Sequence, residues 1–220
     1  MKVSVCQSNY IPWKGYFDLI HRADVFVVYD CVQYTKNDWR NRNIVKTPHG
    51  AQWLTVPVVG GLGQRICDVA IARGNWASKH WKTLRQNYAK ATHWERYAEG
   101  LEAIYRASWT NLSALNLALL RFVCEALGIG TRIVDSREFT LTGEREARLL
   151  DLLRQCVATS YVSGPAAKAY IDEQSFGIPV EWMRYEYPEY AQLYPPFDHR
   201  VSVLDLLFHA GPDAPRYIWG

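Results

Sequence analysis

A chain of 220 residues is long enough to bury a substantial core, and 49% hydrophobic with 21% charged residues excludes an intrinsically disordered chain. A net charge of +3 is too small to argue for nucleic acid, and five cysteines, odd in number and without CxxC spacing, fit neither a disulfide framework nor a structural zinc site. No run approaches about 18 consecutive apolar residues and Met1-Lys2 leads into alternation rather than a signal peptide, so a soluble, cytoplasmic protein without a membrane partner is expected.

In chain order, Val3 and Val5 alternate with Lys2 and Ser4, predicting a first strand that ends in the polar run Cys6-Gln7-Ser8-Asn9-Tyr10. Pro12 and Gly15 open a short helix through Phe17, Leu19 and Ile20 to about Arg22, whose N-terminus could take a phosphate. A second strand, Asp24 to Tyr29, ends in Asp30, Cys31, Gln33, Tyr34 and Lys36. The stretches 44–46 and 52–56 read as a β-hairpin, 58–63 as a glycine-rich turn and 65–71 as a further strand. From Asn75 to Gly128 apolar residues recur at three and four, which predicts helices, with a boundary at Ser108 to Asn111. Strand and helix then alternate again: 131–134 strand, 143–156 helix, 160–162 strand, a helix to Ile171, and a strand over 179–185. Residues 185–200, rich in tyrosine and proline, read as a long loop that covers something, and 204–208 as a short helix. Strands separated by helices predict a three-layer α/β fold, a mostly parallel sheet with a β-hairpin and a helical insertion at about 75–128, all in one domain spanning 1–220.

The run Gln7, Tyr10, Pro12, Gly15, Tyr16, Phe17, then Ala23-Asp24, Val28, Asp30, Gln33, Asn41-Arg42-Asn43 and Trp53-Leu54-Thr55-Val56-Pro57-Val58 resembles the WbqC-like protein family. The resemblance continues in Tyr161-Val162-Ser163-Gly164-Pro165 and in Ser202-Val203-Leu204-Asp205-Leu206-Leu207-Phe208. It departs at Cys6-Gln7-Ser8, where members commonly carry His-Gln-Pro or a similar triplet, and at His209, where they carry Asn. The resemblance implies a place in the assembly of surface polysaccharides or specialised metabolites. It therefore implies group transfer: N-acylation of an amino sugar or related amine from an acyl thioester, with an acyl carrier protein as a further candidate partner.

Polar residues beyond the carboxyl ends of two parallel strands point to one crevice. Gln7, Tyr10, Asp30, Gln33, Asn41 and Arg42 are expected to line it, with Asn43 and Asp205 as further binding candidates. Asp30 is the candidate base or amine orienter, His209 and His199 the other acid/base candidates. Cys6 is a candidate nucleophile set against a small buried hydrophobe. Gln7, Asn41 or a backbone N–H near Ser163 would hold an oxyanion, and Lys36 and Arg42 would anchor phosphates. None of the six histidines has the spacing of a hydrolytic zinc site, so no metal or cofactor is expected. Two rivals stand beside acyl transfer. One is an ATP-using ligase or nucleotidyl transferase, because strand, Pro12-x-x-Gly15, short helix and strand are laid out like the first unit of HxGH nucleotidyl transferases. The other is a non-catalytic module presenting aromatic rings to a carbohydrate or carrier protein.

Overall fold

A computed structural model describes residues 1–61 and 63–220. Five strands, β1 (Lys2–Cys6), β2 (Val25–Val28), β7 (Arg132–Asp135), β8 (Ser160–Ser163) and β9 (Val180–Trp182), form one parallel sheet in the spatial order β7-β2-β1-β8-β9. The chain lays down β1, β2 and β7 outward to one edge, then returns to place β8 against the other side of β1 and β9 beyond it. Strand order thus reverses between β1 and β8. The sheet is covered on both faces: Phe26 and Val28 join one core, while Val25 and Val27 join the other, the period-2 alternation of a strand buried on both sides.

The larger core lies under helix α1 (Lys14–His21), the hairpin of β3 (Arg42–Thr47) and β4 (Gly50–Thr55), and the helices α2 (Trp76–Tyr88), α3 (Trp94–Arg106) and α4 (Leu112–Ala126). Asn111 accepts a hydrogen bond from the Ala114 N–H and so caps α4, a contact that contributes about 1 kcal/mol. The smaller core is closed by α5 (Arg145–Gln155) and the turns around Ala167, Ile171 and Phe176. The three-layer, mostly parallel α/β architecture is as the sequence predicts, and α2 to α4 sit within the crossover from β2 to β7.

Three elements differ. The strand expected over 65–71 is a 3₁₀ turn, Ile66–Asp68, with Arg65 and Asp68 ion-paired across it, then a two-residue strand, β6 (Ala70–Ile71), paired with β5 (Val58–Val59). The helix before Ile171 is a 3₁₀ segment, Pro165–Ala169, and β9 is shorter than 179–185. Leu62, in the expected glycine-rich turn, lies outside the described residues; its neighbours Gly60, Gly61 and Gly63 have φ of 75°, 116° and 82°, the left-handed region that turn requires. The final helix, α6 (Val203–Ala210), packs its apolar side chains wholly inside.

Residues 185–200 run over the start of α1 and bury it. Lys14 is 3% exposed, its ammonium donating to the Pro188 carbonyl and lying 5.1, 5.2 and 5.9 Å from the ring centres of Tyr187, Tyr190 and Phe197. The N-terminus of α1 is therefore sealed, not open to a phosphate. Burial lowers the Lys14 pKa to about 8, whereas the unfolded lysine titrates near 10.4. Between those values the unfolded chain holds the extra proton, so this group's contribution makes stability rise with pH. Lys14→Met keeps the stem and removes the charge. Its denaturation midpoint is expected to exceed wild type at pH 7 and to lose that advantage between pH 8 and 10; a deficit at every pH would show that the aromatic contacts outweigh desolvation.

Candidate functional site

Where the strand order of a doubly wound sheet reverses, the loops leaving the two adjacent strands diverge to opposite faces and a crevice opens at their carboxyl ends. Here that point lies between β1 and β8, and a cavity of about 820 Å³ occupies it. Val5, Cys6 and Gln7 bring the end of β1 to its floor and Tyr161 brings β8. Tyr29 and Val32 enter from beyond β2, Tyr170 from the turn after β8. Its charged lining among the described residues comes from the first turns of α5: Arg145, Glu146 and Arg148.

The walls are aromatic and the charge is concentrated at one end. The α5 N-terminus adds its free N–H groups to the two guanidinium groups, so that end favours an anion. Arg148 reaches within 4.0 Å of the Cys31 sulfur through Nη2, while its buried Nε has no hydrogen-bond partner among the described residues. Arg145 has φ of 47°, an uncommon conformation for a residue with a side chain. Burial raises the Cys6 pKa despite the opposing charge of Arg40, so Cys6 rests as a neutral thiol and behaves as a half-buried small hydrophobe. Burial likewise raises Tyr29, against the charge of Arg148.

Of the residues expected to share one pocket, only Gln7 reaches this crevice, with Cys6, the candidate nucleophile, beside it. Asp30 has no exposed surface: its carboxylate accepts from the Ser8 N–H at 2.8 Å and from the Ser113 hydroxyl on α4. Tyr10 is equally buried, its hydroxyl between His80 Nδ1 at 2.8 Å and the Tyr105 hydroxyl at 2.5 Å, and burial brings the His80 pKa down to about 4. Asn41 donates to the Val56 carbonyl, and Asn43 donates to the carbonyls of Tyr10 and Ile11. Arg42 lies 4.4 Å over the Trp53 ring and donates to the Asn37 carbonyl. Gln33 and Lys36 are exposed outside the cavity, and Ser163 is buried, its hydroxyl bonded to that of Tyr161. For Asp30 and Asn43 the physical reason is shared: the turn from β1 to α1 leaves the sheet ladder, and their side chains supply hydrogen bonds its backbone lacks.

Asp205 and His209 belong to a second buried network under residues 185–200. The Asp205 carboxylate accepts from Tyr88 at 2.9 Å, Tyr190 at 2.8 Å and Gln192 at 2.9 Å. His209 Nδ1 donates to the Asp205 carbonyl and Nε2 accepts from the Leu193 N–H, so both ring nitrogens are engaged. Arg145, Glu146, Arg148, Tyr29, Tyr161 and Tyr170 are the crevice residues that sequence reasoning passed over. Helix 143–156 was legible from its leucines, but the polar residues at its start carried a signal only once the crossover after β7 placed them beside β1.

Asp30→Asn keeps an acceptor for Ser8 and a group that Ser113 can pair with, so a loss of no more than about 1 kcal/mol is expected; Asp30→Ala leaves both donors unpaired and is expected to cost about 2–3 kcal/mol. Denaturant midpoints on the two variants check this, and equal losses would remove the hydrogen-bonding role.

The chain matches the WbqC-like protein family over residues 7–217, nearly its whole length. It is also 48% identical over 224 residues to the uncharacterized protein Rv1507c of Mycobacterium tuberculosis, covering 99% of this chain and 97% of that one. No solved structure matches it. Among the described residues no cluster of three metal-ligating side chains and no helix long and apolar enough to cross a membrane is found.

Proposed function

Because this chain belongs to the WbqC-like protein family, we propose that it is a cytoplasmic biosynthetic group-transfer enzyme that joins an acyl group to the amine of a small molecule, an amino sugar or related metabolite. The observation that supports this reading is the crevice at the reversal of strand order. It combines aromatic walls with two guanidinium groups and a helix N-terminus at one end, a combination suited to an activated donor whose reactive part is apolar and whose handle bears phosphate. A phosphopantetheine thioester, free or on a carrier protein, is such a donor.

In this reading Arg145 and Arg148 hold the phosphate-bearing handle and the thioester lies along Tyr29, Tyr161 and Tyr170 over Gln7. The amine nitrogen attacks the thioester carbonyl; the C–N bond forms and the C–S bond breaks. The amine proton passes to Glu146, the carboxylate of the lining, and the departing thiolate takes a proton from solvent. Cys6, a neutral thiol, forms no bond to substrate. The protein orients the reactants and excludes water, which accounts for much of the barrier in a reaction whose donor is already activated.

Acetyl-coenzyme A serves as the probe. At about a hundredfold its Kd it stabilises the protein by about 2.7 kcal/mol, visible as a raised midpoint of thermal unfolding. Arg148→Met is expected to abolish most of that rise. Glu146→Gln is expected to keep it while lowering turnover by about 10² to 10⁴. The parallel order β7-β2-β1-β8-β9, with the N-terminus of α5 at its reversal point, supports an ATP-using transferase as the second reading, its phosphates at α5 because the start of α1 is sealed. A rise with ATP and Mg²⁺ and none with the thioester would establish that one instead, and saturable sugar or carrier binding without turnover would leave a binding module.

A further inference from the structure

The turn from β1 to α1 has a second side. Opposite Cys6 and Gln7, a separate cavity of about 390 Å³ is lined by Asn9, Trp13, Trp39, His199 and Arg200, with Pro12 and Asn43 between them. We propose that this cavity is a saccharide subsite that receives one sugar ring. The inference goes beyond the reading above and rests on its own residues: the turn separates this cavity from the crevice in which the amine meets the thioester.

The volume is at the small end of ligand pockets, which run from about 300 to 1,000 Å³, and suits one ring with its substituents better than a nucleotide. Its walls are two tryptophans held in fixed poses. Trp13 folds back over its own helix, where a Cβ on Gly15 would come within 2.4 Å of the indole, and meets Tyr185 edge-on at 5.0 Å. Trp39 is 41% exposed and leans on Trp53, 46% exposed, with ring centres 5.5 Å apart and the Arg42 guanidinium beyond. Large indoles left open beside a cavity are costly unless something covers them, and the C–H face of a pyranose does so without surrendering its equatorial hydroxyls.

The polar groups at the edge are chiefly donors. The Asn9 side-chain oxygen is taken by Arg40, which leaves its amide nitrogen without a partner among the described residues. Arg200 spends Nε and Nη2 on Asp198, and its Nη1 remains. His199 packs edge-on to Phe197 at 4.5 Å and has no hydrogen-bond partner among the described residues. Donors around apolar walls call for a ligand rich in acceptor oxygens, which hydroxyls and ring oxygen supply. His199 and Arg200 come from the end of residues 185–200, so the segment sealed over Lys14 also completes this cavity. Tyr185, at the other end of the segment, backs the Trp13 wall: its ring meets Trp13, and its hydroxyl is the atom a Cβ on Gly164, after β8, would meet at 3.0 Å.

The test is saturation-transfer NMR on the full chain with glucosamine and N-acetylglucosamine, with adenosine at the same concentration as the control. Wild type and Arg148→Met are expected to saturate the sugar ring protons equally, and Trp39→Ala to reduce that saturation at least fivefold. Trp39 is exposed and its structural contribution, accepting from the Tyr10 N–H, is through backbone, so the variant should fold. Sugar saturation that survives Trp39→Ala, stronger saturation of adenosine than of either sugar, or none with any probe would overturn the proposal. Loss in Arg148→Met alone would move the sugar to the crevice. Failure of the thioester to bind wild type leaves these readings unaffected, so the two proposals fail separately.

Discussion

The backbone between β1 and α1 is the part of this molecule that cannot satisfy itself. Residues 7–12 leave the sheet ladder, enter no helix and are mostly buried, and Ile11 takes φ of 37°, a conformation β-branched residues rarely adopt. Each orphaned buried group would cost about 1–3 kcal/mol. The rest of the chain answers almost residue by residue. Tyr16 donates to the Gln7 carbonyl, Asp30 accepts from Ser8, Asn116 donates to the Ser8 hydroxyl, the Tyr10 N–H finds the Trp39 carbonyl, Asn43 holds Tyr10 and Ile11, and the Val203 N–H reaches the Pro12 carbonyl.

This explains why the helical insertion is where it is. Ser113 and Asn116 on α4, His80 on α2 and Tyr105 on α3 all reach the turn or the residues that hold it, so the insertion braces a loop as well as enlarging the core. A loop pinned this way can carry binding groups with the precision of a strand, and both cavities are built on it. Cys6 and Gln7 face the crevice on one side; Asn9 and Trp13 face the smaller cavity on the other.

The second buried network sets the position of residues 185–200. A carboxylate with no exposed surface is tolerable only when its oxygens are occupied, and Asp205 meets that condition with three donors, two of them from the segment itself. Lys46 adds contacts to Gln192 and to the Pro196 carbonyl. The segment is thus fastened in its middle, while one end, Tyr185, packs on Trp13 and the other, His199-Arg200, lines the smaller cavity.

The sequence by itself determined the strand and helix alternation, the hairpin, the helical run from 75 to 128 and the boundary before Leu112, because each is written in local periodicity and turn chemistry. It also marked Asp30, Asn41, Asn43 and Asp205 as candidate site residues. What it could not say is which way they point. A polar side chain at a strand end serves a ligand or its own backbone according to whether a neighbouring turn has unpaired groups, and that depends on contacts 13 to 117 residues distant in the chain. Only the tertiary structure turned these residues inward as pins and brought Arg145, Glu146 and Arg148 to the crevice from a helix whose sequence shows no more than a leucine stripe. The crossover that lays α5 beside β1 is a property of the sheet order, and no local pattern encodes it.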